Sequence, residues 1–180
     1  VNLVTAFSRA VERAQHAGLQ LRERLNDLVG TYDAVDVVAF SLGCRVAHTA
    51  LSTGLPNGTV RDVVLAGGAF PACRSWWPVA HRIDGRIINL SSRHDEALLW
   101  YQRYLRSGRA IGRPGTASAG VHTRLANVIN LDASELVKNH AGYLTRLDVL
   151  LDGALEGLPP SNDGRSGPVD WRDEFRWNPP

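Results

Sequence analysis

Ser41 stands in Ala39-Phe40-Ser41-Leu42-Gly43, between a short β-branched apolar run and a segment with helical spacing. A serine at a strand-to-helix turn has its hydroxyl lifted off the sheet, the setting of a nucleophile elbow. The turn is strained, so the residues two before and two after it must be small, and Ala39 and Gly43 are. The Leu42 N–H then faces the oxyanion that forms when the hydroxyl attacks a carbonyl. The helix N-terminus adds positive potential there. The same five residues also suit an ordinary serine turn capping a helix.

A hydroxyl needs a base to attack, and the base needs a group to orient it. Asp95 follows a third apolar strand in Asn89-Leu90-Ser91-Ser92-Arg93-His94-Asp95. A carboxylate just past the C-terminal end of a parallel strand lies on the rim where such sheets place their sites. There it can fix a histidine tautomer, or simply N-cap the helix it precedes. Glu96 is the weaker substitute. His140 follows a fourth strand, just before the last helix, and reads as the base or as a locally bonded helix-start histidine. The order Ser41, Asp95, His140 differs from the two protease orders and matches the hydrolase one. His16 and His48 fall inside helices, His81 and His122 in loops, and His94 is too close in sequence to Asp95 for triad geometry.

Elements must bring these three together. Apolar residues at Leu3, Phe7, Val11, Ala14, Leu21, Leu25 and Leu28 predict a helix over 3–29, with Gly30 as its stop. Residues 34–40, 60–66, 86–91 and 125–131 read as buried strands, and 42–53, 95–107 and 141–153 as helices. Residues 67–78 and 112–120 read as loops. Helices alternating with short apolar strands predict an α/β domain on a mostly parallel sheet over 1–156. Residues 157–180, rich in Pro, Gly and Asp, read as an extended or disordered tail whose Trp171, Phe175 and Trp177 are able to dock back.

Composition sets the outer bounds. A chain of 180 residues, 44% hydrophobic and 21% charged, builds one core of ordinary size. A net charge of +2 argues against nucleic acid as a partner. Two cysteines, Cys44 and Cys73, make neither a disulfide framework nor a zinc site. The sequence indicates no metal and no cofactor. Without a signal-type or spanning apolar run, cytoplasm is the expected compartment. The chain opens on Val1 and contains no methionine, which fits either a start at a GTG codon read literally or a fragment or truncated gene product, the second being the expectation.

These segments resemble the α/β-hydrolase superfamily, and within it the family that includes the transmembrane and coiled-coil domain-containing proteins. The resemblance runs from about Phe7 to Leu151. AFSLGCRV resembles the elbow, VVLAGGAFP with Trp76 and Trp77 the next strand and loop, GRIINLSSRHD the acid-bearing strand, and NLDASELVKNHAGY the histidine segment with Tyr143 one turn on. Ala39 in place of glycine and Leu90 in place of an aromatic are departures. The resemblance implies a serine esterase or lipase-like hydrolase with catalytic Ser41, Asp95 and His140 and an oxyanion donor at Leu42. It also implies that the usual N-terminal strands are missing, with the loop that donates the second oxyanion N–H. The 34–40 strand should then be a sheet edge, open to a second copy or a complementing chain.

Phe40, Phe70, Trp76 and Trp77 are the candidates for lining a substrate pocket. Trp100, Tyr101 and Tyr104 join the two tryptophans as candidates for an acyl pocket, a lipid surface or cap packing. Arg103, Arg106, Arg109 and Arg113 suit an anionic head group or a solvated helix face. The expected substrate is a small-molecule ester or lipid, with peripheral membrane contact as a related expectation. The alternatives are a silent hydrolase-like module that binds a partner through its sheet edge, and a doubly wound ligand-binding domain with an incidental serine turn.

Overall fold

The computed structural model describes residues 3–28, 30–55, 59–71, 76–105, 110–113 and 127–155. The 157–180 tail, Cys73, His122, Arg106 and Arg109 lie outside them. In chain order the elements are α1 (Leu3–Leu28), β1 (Val35–Phe40), α2 (Gly43–Ser52), β2 (Val60–Ala66), α3 (Trp77–Ala80), β3 (Ile87–Ser91), α4 (Glu96–Leu105), β4 (Val128–Asp132), α5 (Gly142–Thr145) and α6 (Leu147–Leu155). The four strands pair in the order β1-β2-β3-β4, every pair parallel. The domain is therefore α/β, a parallel sheet with flanking helices. Parallel pairing has one consequence that governs the rest: all four strand C-termini emerge on the same rim.

Alternation along the strands sorts side chains to two faces. Ala39, Val63, Leu65 and Ile87 join Leu25, Cys44, Ala47, Leu51, Val79, Phe70 and Trp76 in one core. Val64, Ala66, Ile88, Leu90 and Leu131 join Val137, Tyr143, Leu150 and Ala154 in the other. Among the described residues β1 lies at one end of the sheet, and Val38 on its second face is 44% exposed.

The stripe on α1 contains one residue that apolar spacing passes over. Gly18 lies against α2 so closely that a Cβ there would stand 2.5 Å from Thr49 Cβ. It is an α1–α2 contact point because it has no side chain. Two further differences from the sequence reading concern breaks. The 141–153 helix is two helices, interrupted at Arg146 (φ −124°), so that Tyr143 seats beside His140 while Leu150 and Ala154 lie on the sheet. The 67–78 loop ends inside α3.

The rim opposite the site is pinned by charge. The Arg86 backbone N–H and guanidinium donate to Asp62 at 2.7–3.3 Å, and both side chains are buried. Burial alone would raise the Asp62 carboxyl, but the Arg86 bonds and charge outweigh it and hold it below its ordinary 3.8. A depressed carboxyl contributes stability in full above its unfolded value, and that contribution is lost as pH falls through the native value. Arg86→Met should cost about 3 kcal/mol at neutral pH by stranding the carboxylate. In urea titrations the deficit should shrink below about pH 4. An unchanged deficit at acid pH would show that the loss is one of packing.

Candidate active site

The turn after β1 is sharply bent at Ser41. Ser41 has φ +54°, the only non-glycine positive φ among the described residues. L-residues resist that conformation by about 1–2 kcal/mol. Backbone bonds hold it there. The Ser41 N–H donates to Ala66 O at 3.0 Å, extending the β1–β2 ladder by one residue. The Ser41 carbonyl accepts from Ala69 N–H at 3.0 Å and Cys44 N–H at 3.2 Å. A Cβ built on Gly43 would meet Ala39 Cβ at 4.0 Å, an ordinary contact. The two flanking positions thus face each other, and alanine fits at both.

Asp95 is 0% exposed and divides its two oxygens between two jobs. Oδ1 accepts the Leu98 N–H at 3.1 Å and so caps α4, and Oδ2 meets His140 Nδ1 at 2.7 Å. The one carboxylate thus makes the cap bond and the histidine contact at once. On the other side of the ring, His140 Nε2 lies 2.8 Å from Ser41 Oγ. With a carboxylate at Nδ1, that nitrogen carries the proton, Nε2 is the acceptor and the Ser41 hydroxyl donates. The imidazole is 23% exposed and packs against Phe40, ring centres 4.7 Å apart. The structure thus joins Ser41, His140 and Asp95 in one hydrogen-bonded chain. The Leu42 N–H, at the N-cap of α2, donates to no acceptor among the described residues. The Leu42 side chain packs toward Ala69, Leu98, Tyr101 and Ala110.

Several positioning residues carry no sequence signal beyond a glycine pair or a polar residue in a loop. Gly67 has φ +53°, and a Cβ there would fall 2.5 Å from Tyr143 Cε2 and 3.2 Å from Asp95 Oδ2. Tyr143 is fully buried beside Asp95 and His140, and burial together with the Asp95 charge pushes its phenol well up, so it stays neutral. The acid loop is stitched from three sides. Ser92 Oγ donates to Val137 O at 2.7 Å, and Arg93 N–H donates to Ser134 Oγ at 2.9 Å. The Arg113 guanidinium donates to the carbonyls of Arg93 and Asp95. Gly112 and Arg113, read from sequence as part of a loose loop, are therefore fixed. Gly112 N–H also bonds Gly68 O, and its carbonyl accepts from Ser92.

Of the remaining candidates, only Phe40 among the described residues stands against His140. Glu96 and His94 are exposed, as is His16 on α1. His48 packs against Phe70 and meets Trp76 edge to face. Phe70 and Trp76, expected to line a pocket, are 2% and 1% exposed and pack edge to face within the core. Phe40 is half-buried against His140 and Tyr143. Tyr101 is buried against Phe7, whereas Trp100 is 56% exposed. The side chains of Trp77, Arg103 and Tyr104 lie outside the described residues. Cys44, three residues past Ser41, is no competing nucleophile: burial pushes its thiol up to about 12.

The two glycines give a direct test of this geometry. Gly67→Ala should lose roughly 3 kcal/mol from the combined backbone strain and ring overlap. Gly43→Ala should leave stability equal or higher by up to about 1 kcal/mol, since it begins a helix with room for a methyl. Chemical denaturation of both variants measures the difference, and equal losses would contradict the packing described.

Comparison with known proteins adds a family. The chain is similar to the transmembrane and coiled-coil domain-containing protein STS1 of Oryza sativa subsp. japonica, 28% identical over 152 residues. That match covers 81% of this chain and 22% of the rice protein, so the chain spans about a fifth of its relative's length. No helix of the described residues is long and apolar enough to cross a membrane. No solved structure matches. A family model described as a protein of unknown function matches residues 2–154, a span that takes in Ser41, Asp95 and His140, and the chain accordingly belongs to that family, DUF726.

Proposed function

We propose that this chain is a serine hydrolase of the α/β-hydrolase type, acting on carboxylic esters, lipid esters included. The observation that carries the reading is the unbroken chain from Ser41 Oγ through His140 to Asp95, at 2.8 and 2.7 Å. The left-handed backbone at Ser41 and the chain order of the three residues support it.

In this mechanism His140 Nε2 takes the proton as Ser41 Oγ attacks the ester carbonyl. Asp95 holds the ring and stabilises the imidazolium without being protonated. The tetrahedral oxyanion forms toward the Leu42 N–H. Collapse expels the alcohol, which receives the proton from His140 and leaves an acyl-serine. A water activated by the same imidazole then releases the acid and restores Ser41. No step requires a cofactor. The exposed edge at β1 favours a second reading, in which the fold serves as a partner-binding module with this chemistry unused.

A fluorophosphonate probe separates the two. The chain should be labelled on Ser41, and Ser41→Ala should abolish labelling. Asp95→Asn keeps the α4 cap but presents the wrong group to Nδ1, so its labelling rate should fall by about ten-thousandfold with little loss of stability. A folded chain that stays unlabelled, with light scattering showing self-association, would favour the binding module.

A further inference from the structure

Two arginines are buried among the described residues, and their surroundings differ sharply. Arg86 is matched by Asp62. Arg45 is 7% exposed, yet no described carboxylate pairs with it, and its Nε–H is buried without an acceptor. Its position is unfavourable in a further way. Arg45 lies in the first turn of α2, whose N-terminus already carries positive potential and no acidic residue. A cation buried at the positive end of a helix invites an anion.

A second orphan donor lies in the same cluster. The Trp76 side chain is 1% exposed, and its Nε1–H has no acceptor among the described residues. Both side chains pack against Phe70. The guanidinium sits 5.4 Å from that ring's centre and the indole packs 5.8 Å from it, with His48 against both aromatic rings. The stack on Phe70 offsets part of the cost of burying the charge and satisfies neither N–H. Phe70 follows Ala69, whose N–H holds the Ser41 carbonyl, so the cluster adjoins the elbow.

We infer that Arg45 and Trp76 form a binding site for an oxyanion group, a carboxylate or a phosphate, next to the Ser41 turn. A guanidinium takes either group through paired N–H donors, and an indole N–H adds a third. The anion is either free in solution or the acidic end of the ester. The second case rests on the hydrolase reading above and narrows its substrate class to esters bearing a negative charge.

Thermal unfolding of the 180-residue chain tests the site without reference to catalysis. Sodium phosphate or sodium propionate should raise Tm over sodium chloride at matched ionic strength. The rise should saturate, and should reach about 4 °C at about tenfold the Kd. Arg45→Leu should abolish it, and Arg45→Gln should reduce it. Without added anion, Arg45→Leu should be at least as stable as the parent, because an unpaired buried charge has been removed. If Arg45 only packs on Phe70, that variant is less stable and the parent shows no anion effect, which overturns the inference. Chromogenic esters then separate the two sources. If the anion belongs to the substrate, a hemisuccinate should exceed a butyrate by roughly tenfold in kcat/KM, and Arg45→Leu should lose that preference. Anion stabilisation without the preference assigns the site to a free ion. Anion stabilisation in a chain that fluorophosphonate never labels upholds the site and removes the hydrolase reading instead.

Discussion

The Asp95 carboxylate is the point at which a helix start, the His140 ring and, through it, the Ser41 hydroxyl are tied together. It has no contact with solvent, yet neither oxygen is idle. One begins α4 and the other holds the His140 imidazole. A buried carboxylate is costly unless its lone pairs are met, and here a helix start and a histidine meet them. Rotating the carboxyl to improve one bond would weaken the other. The loop that carries it is therefore fixed by Ser92, Ser134 and Arg113, whose bonds leave the 92–95 backbone little freedom. Order at Asp95 passes to His140 and from there to the Ser41 hydroxyl.

Around this carboxylate the chain makes close approaches that only glycine permits. Gly67 lets the Tyr143 ring stand against the acid. Gly68 and Gly112 let the 110–113 segment lie against the 68–71 segment, where a Cβ on Gly112 would come 2.4 Å from the Gly68 nitrogen. The result is a rim built largely of backbone. Ser41, in its left-handed turn, is held on one side by Ala66 and on the other by Ala69. The strain at Ser41 is borne by these bonds, and the turn presents the half-buried hydroxyl to His140.

Buried charge divides the molecule into two kinds of place. At the rim away from the site, Asp62 and Arg86 neutralise each other, and their role is explained by the fold alone. Beside the Ser41 turn, Arg45 is held by an aromatic ring and has no such partner among the described residues. The same residue type in similar burial therefore carries different meanings, and the neighbouring groups make the difference. Membership of a family of unknown function adds no assignment to either place.

Much of this was legible along the chain. Strand and helix segments were readable because apolar spacing reports which face is buried, and the Ser41, Asp95 and His140 positions followed from their places at strand ends. Periodicity says nothing about contacts between segments remote in sequence. It could not find Gly18, which matters through its lack of a side chain, or the break at Arg146. Nor could it tell that Phe70 and Trp76 are packed away while Phe40 stands against the histidine, since aromatic residues look alike until their neighbours are known. The sequence by itself determined the elements, the parallel order of their rim and the chemical types that reach it. Only the tertiary structure decided that a hydroxyl and an imidazole 99 positions apart stand 2.8 Å from each other. That distance is set by the packing of four strand ends and by the Asp95 hydrogen bonds, and no local propensity encodes it.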